Sequence, residues 1–204
     1  MVITAVKESC TDGSTTKGYT SARLVNQDLD PVKRPTDGQP FYHIGGRWEV
    51  RAKVPAGSGL VVAPLWTMGD YDALGGWPEC GEIDVIETKN SAGTAYGHLH
   101  MDGGGGADYG PGVEKAAPGG TWADGQYHVF AAEWTADAVT WEVDGAVYGT
   151  ITQAQVEAAG KSWPFDGIPQ SPIISLHVGK SWSGQPDGSW TSKSMVIDYV
   201  RVYE

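Results

Sequence analysis

The sequence predicts an all-β protein, a sandwich of antiparallel strands. Three observations carry that expectation. Apolar residues recur with period two in short runs throughout the chain, the spacing that turns one face of a strand toward a core. The 204 residues include 29 glycines and 12 prolines, which break those runs at close intervals and suit many tight turns rather than a helical bundle. Only one short segment has helical composition. Many evenly spaced strands with Gly/Pro turns form a sandwich, and no linker, repeat or composition break divides residues 1–204.

The opening MVITAVKE already reads as a strand, which suggests that Met1 starts a shortened chain. YTSARLV (19–25) is a second strand. RWEVRAKV (47–54) sets Trp48, Val50, Ala52 and Val54 on one face and Arg47, Glu49, Arg51 and Lys53 on the other. That pattern places Trp48 in the core. GLVVAPLWTM (59–68) and AYGHLHM (95–101) follow, and MDGGGGADYGPG (101–112) reads as a flexible loop. YHVFAAEW (127–134) and VTWEV (139–143) alternate cleanly. Asp144-Gly145 before AVYGTI is a two-residue hairpin signal. TQAQVEAAG (152–160) is the helical segment, with Thr152 as cap and Gly160 as stop. PIISLHV (172–178) and MVIDYVRVY (195–203) close the series.

A formal charge of -11 argues against a nucleic-acid binder, which shows a basic face. No apolar run approaches the length of a membrane span. Cys10 and Cys80 are too few for a disulfide scaffold or a metal cage, and either pairing or two free thiols fits them. Nine tryptophans exceed the needs of a core this size, so some are expected to be exposed for use.

The stretch WPECGEIDVIE (77–87) carries three carboxylates within six residues, Glu82, Asp84 and Glu87, among β-branched neighbours. Glu82 and Asp84 share a strand face, whereas simple alternation would send Glu87 into the core, where an unpaired carboxylate is very costly. One extra residue, a β-bulge at Val85–Ile86, returns Glu87 to the face of the other two. Bulges gather beside active sites, where they re-aim a side chain. Two glutamates on one face suit retaining glycoside hydrolysis, one as nucleophile and one as acid/base. Asp84 between them would share a proton or hydrogen bond. A solvated acidic strand or a calcium site are the other readings. Calcium wants more oxygen ligands than three strand side chains offer.

The same stretch resembles the signature of glycoside hydrolase family 16, in its laminarinase-like (endo-β-1,3-glucanase) branch. GGRWEVRAKVPAGSGL, YHVFAAEWTADAVTWEVDG, WPFDGIP and VIDYVRVY resemble further family segments in family order. The resemblance implies a jelly-roll of two curved antiparallel sheets with a concave substrate cleft. It implies Glu82 as nucleophile, Glu87 as acid/base and Asp84 as the assisting acid. By the same resemblance His100, Trp77, Trp66, Trp182 and Arg51 would contact sugar, and Asp198 with the backbone of Gly46 would hold a structural calcium ion. It implies no cofactor for catalysis. Sugar rings stack on indole while their hydroxyls need polar partners, so tryptophan beside carboxylates, histidine and arginine suits such a cleft. His98 and His100 share a strand face and would read as a metal pair only with further ligands.

Three departures stand out. Family members carry a strand or two before the segment at which this chain begins. VVAPLW and SLHVGK, with Pro64, Ser175, His177 and Lys180, replace the family's usual residues on the substrate face. The expected activity is endo-hydrolysis of β-1,3-glucan or mixed β-1,3/1,4-glucan. The alternatives are a non-catalytic carbohydrate-binding jelly-roll and a relative acting on agar- or galactan-type chains. A polysaccharide partner, a monomer and a secreted protein are the accompanying expectations.

Overall fold

The computed structural model describes residues 1–26 and 41–204. The chain begins with β1 (Val2–Val6), a small hairpin of β2 (Cys10–Asp12) and β3 (Thr15–Lys17), and β4 (Arg23–Val25). Then come β5 (Gly46–Lys53), β6 (Leu60–Met68), β7 (Glu82–Lys89), β8 (Thr94–Asp102), β9 (Asp108–Tyr109) and β10 (Gly112–Ala116). β11 (His128–Trp134), β12 (Ala138–Val143), β13 (Ala146–Thr152), the helix α1 (Gln153–Ala158), β14 (Ser171–Val178) and β15 (Ser192–Tyr203) complete it.

Two antiparallel sheets stack face to face. One runs β1-β15-β5-β11-β12-β13; the other runs β10-β8-β7-β6-β14-β4, with β9 added beside β8. The core lies between them. Trp48, Val50 and Ala52 of β5 enter it from the first sheet, and Ile83, Val85, Ile86 and Leu99 from the second. Trp48 is therefore a core residue, as its strand pattern predicts. The outer face of the second sheet carries the cleft described below.

Local signals explain the connections. Asp144 and Gly145 both have positive φ (50° and 78°), the backbone a two-residue type I′ hairpin needs, and they join β12 to β13. The six residues of α1 start at a capping box in which Gln155 N–H donates to Thr152 Oγ1 and Thr152 N–H donates to Gln155 Oε1. Such reciprocal caps let so short a helix form.

Two expectations need correction. The stretch 101–112 is not simply a flexible loop: Asp102 Oδ1 accepts from the N–H groups of Gly104 and Gly106, and the chain returns as β9 and then β10. A side chain that organises its own turn is hard to see among glycines. The run 19–25 forms a strand only over Arg23–Val25. Cys10 is exposed, Cys80 is buried, and both are free thiols.

Candidate active site

The bulge in β7 is present where the acid spacing requires it. Asp84 pairs with His98 and Glu87 with Tyr96, so three steps along β7 match two along β8. Val85 and Ile86 both end fully buried in the core. Glu87 returns to the cleft face with Glu82 and Asp84, and all three line one cleft of about 740 Å³. β6 compensates on the other side: Val62 pairs with Thr88 and Leu65 with Ile86, three steps against two. The extra residue falls at Ala63–Pro64, and a bulge is where a central strand tolerates proline.

An indole N–H and two imidazoles lie against the carboxylates. Trp77 Nε1 donates to Glu82 Oε2 at 2.9 Å. His98 Nδ1 lies 3.3 Å from Glu87 Oε2. His100 places Nε2 3.4 Å from Asp84 Oδ2 and Nδ1 2.9 Å from Asp108 Oδ2. Asp84 is 2% exposed. Burial first, and the Asp84 charge next, push the Glu82 carboxyl well above the usual carboxylate range. Burial and then the Glu87 charge do the same to Asp84. Glu82 and Asp84 are hydrogen-bonded to each other, so the pair holds a proton that two isolated carboxyls would have lost.

Four of the five expected sugar-contact residues line this cleft: Trp66, Trp77, His100 and Trp182. Trp77 and Trp182 are 43% and 37% exposed and offer open indole faces. Trp182 packs edge-on against Tyr96, with Lys89 Nζ 4.2 Å from its ring centroid. Trp66 is nearly buried; its Nε1 donates to Ser175 Oγ at 3.0 Å and its ring lies under the Arg23 guanidinium at 4.4 Å.

Arg51 is not in the cleft. It belongs to β5 in the opposite sheet, pairs with Asp198 at 2.6 Å and lies over the Tyr127 ring. Strand alternation turns Arg47, Glu49 and Arg51 away from the core, but that face is the outside of the first sheet. The same pairing affects the expected calcium site. Asp198 bulges between the partners of Ala52 and Arg51, whereas Gly46 lies beyond the Tyr203–Arg47 pair at the other end of β5. About five residues separate them, on the order of 17 Å along a strand. The carboxylate is neutralised by arginine, and these two residues do not fit a shared calcium ion.

Arg23 and the contact of Trp141 escape a strand-by-strand reading, whereas His177 and Lys180 of SLHVGK stand on the substrate face as the resemblance implies. Arg23, His177 and Lys180 line the wall formed by β4, β14 and the turn after it. Burial, with Lys180 and Arg23 close by, pushes the His177 imidazole down to about 4, so it is neutral at neutral pH. Trp141, from the middle of β12, crosses the core and donates from Nε1 to the Asp84 carbonyl at 2.8 Å. A Cβ on Gly97 would meet that indole at 2.4 Å, so only glycine lets Trp141 reach the bulge. Trp141→Phe should leave a buried carbonyl without a donor, at about 1–3 kcal/mol. The expected result is a lower melting temperature and a fall in kcat with little change in KM. Unchanged kcat in thermal-melt and steady-state measurements would separate this contact from the acids' alignment.

Comparison with known proteins agrees with this geometry. The sequence pattern of Glycosyl hydrolases family 16 matches residues 36–201. A Beta-glucanase of Rhodothermus marinus is 34% identical over 91% of this chain and 62% of its own length. The Glucan endo-1,3-beta-glucosidase A1 of Niallia circulans is 33% identical over 78% of this chain and 24% of its own length. The chain thus spans less than two thirds of these relatives. Among solved structures, the catalytic domain of an endo-1,3-beta-glucanase (laminarinase) from Thermotoga petrophila RKU-1 superposes with a TM-score of 0.84 at 37% identity, covering 100% of this chain and 76% of that one. The endo-beta-1,3-glucanase from Pyrococcus furiosus gives the same TM-score and identity, covering 100% and 74%.

Proposed function

The chain belongs to glycosyl hydrolases family 16, and from that membership we propose that it is an endo-acting, retaining β-glucanase acting on β-1,3-glucan. The observation that carries this reading is the bulged row of Glu82, Asp84 and Glu87 along one open cleft. A cleft rather than a closed pocket suits attack inside a polymer.

The roles follow from the surroundings of each acid. Glu82 attacks the anomeric carbon and forms a glycosyl ester. Glu87, on the same face, gives its proton to the departing glycosidic oxygen. Trp77 donates to Glu82 Oε2, and Asp84 shares a hydrogen bond with Glu82, so the attacking carboxylate is oriented from two sides. In the second step Glu87, now ionised, takes a proton from water. That water attacks the anomeric carbon and frees Glu82. Trp77 and Trp182 supply faces for sugar rings, and His100, fixed by Asp108, faces the same space. No step calls for a metal ion. We place the protein outside the cell as a monomer, because polymeric glucans lie there and each chain carries a complete acid row.

The test is incubation with soluble β-1,3-glucan, mixed-linkage β-glucan and a β-galactan. Release of reducing ends as mixed-length oligosaccharides from the β-1,3-glucan, with the β anomer formed first, is the expected result. Binding without release would identify a carbohydrate-binding protein instead, and faster cleavage of the galactan would move the substrate.

A further inference from the structure

The paired histidines of β8 have a third neighbour that their own strand does not provide. One ligating atom each from Asp84, His98 and His100 lies within 4.8 Å of the others. Asp84 Oδ2 is buried and has no hydrogen-bond partner; His100 Nε2 stands 3.4 Å away, short of a well-aligned bond. A buried carboxylate oxygen with no donor is costly. This one is aimed at two imidazoles.

We propose that Asp84, His98 and His100 bind one divalent transition-metal ion of the zinc class, and that occupancy shuts the cleft down. Two imidazoles and a carboxylate, with a fourth position open to solvent, form a familiar zinc donor set. Ligands about 2.0–2.1 Å from a tetrahedral ion lie about 3.3–3.4 Å apart, which is already the separation of His100 Nε2 and Asp84 Oδ2. His98 is partly exposed and sits on the same strand face as His100, with ring centroids 6.1 Å apart. The outer carboxylate that orients a metal-binding histidine is also present. His100 Nδ1 is 2.9 Å from Asp108 Oδ2, which holds the proton on Nδ1 and leaves Nε2 as a ligand toward Asp84. Glu82, Glu87 and Asp108 add negative charge around the position. The ion would take over the carboxyl that supports Glu82 and draw His98 from Glu87. Its effect on turnover rests on the proposed hydrolytic reading; its binding does not.

Zinc chloride titrated calorimetrically into the protein after dialysis against EDTA tests the site directly. One ion per chain is expected. Asp108→Asn should weaken binding by about 10–100-fold through loss of the outer carboxylate, and His98→Ala and Asp84→Asn by more. His98 is partly exposed on the face of β8 turned away from the core, so its removal leaves no hole there, and thermal melts check each variant. No saturable binding, or equal affinity in His98→Ala and Asp84→Asn, overturns the site. Zinc should also stop β-1,3-glucan hydrolysis over the concentration range in which it binds, with EDTA restoring the rate. Binding with this residue dependence but no loss of rate overturns the switch. If no glucan is cleaved at all, the calorimetry still decides the site while the hydrolytic reading fails separately.

Discussion

Glu82→Gln should lower turnover on β-1,3-glucan by at least about 10⁴-fold, the scale on which single members of a catalytic unit are felt, while the protein stays folded. The side chain lines the cleft rather than the core, and the amide keeps its size. Near-normal hydrolysis by this variant would end the assignment. A sharper version uses alanine and azide. In Glu82→Ala the space of the lost carboxylate admits a small anion, which attacks the anomeric carbon once. With an aryl glucoside as donor the product should be the inverted α-glycosyl azide. In Glu87→Ala the first displacement by Glu82 still proceeds when the leaving group is good, and azide replaces water in the second. Two displacements return the β-glycosyl azide. The pair of stereochemical outcomes, read by proton NMR, assigns nucleophile and acid/base independently. The reverse pattern would exchange the two roles.

That the three acids share one face is legible in the sequence because it depends on parity, whereas their separate roles rest on the resemblance. A strand alternates, so a two-then-three spacing of acids demands one extra residue, and the pairing of Asp84 with His98 and Glu87 with Tyr96 supplies it. Parity also told that Arg51 faces away from the core. It could not tell which sheet β5 joins, and in the six-stranded sheet the face away from the core is also the face away from the cleft. Among the described residues, the arginine that does reach the cleft, Arg23, comes from a three-residue strand at the sheet edge, too short to show a period. Asp198 and Gly46 were linked by resemblance alone, and the register of β15 on β5 separates them.

Cross-core contacts were the other blind spot. Trp141 reads as one more alternating apolar residue of β12. Its indole N–H meets the Asp84 carbonyl only because the two sheets stack with Gly97 beneath it. Nothing local to VTWEV or AYGHLHM records that meeting. The wall of Arg23, His177 and Lys180 is likewise assembled from two segments far apart in sequence. The row of Glu82, Asp84 and Glu87 is therefore a property of one strand, readable one residue at a time. The parts that orient it come from the packing of strands distant in sequence.

Asp84→Asn should make the protein more stable and far less active. Asp84 is almost fully buried, with one oxygen unpaired, beside two other carboxyls. Its folded-state pKa is raised, by burial first and by Glu87 next. The folded protein therefore holds a proton that the unfolded chain releases, and stability falls as pH rises above the unfolded carboxyl value toward the folded one. Above that window the native state carries the full cost of a buried charge. Asparagine carries none, so the variant should melt higher at neutral pH, with the difference shrinking as pH falls toward about 4, below which both states of the wild type are protonated. Melting would be followed with EDTA present, so that no metal ion contributes. Activity should move the other way, by about 10²–10⁴-fold in kcat, because an amide cannot pass a proton to and from Glu82. A variant that melts lower than the wild type at neutral pH would mean that Asp84 is held by favourable contacts rather than tolerated at a cost. Stability gained together with activity lost would identify Asp84 as a strained catalytic group.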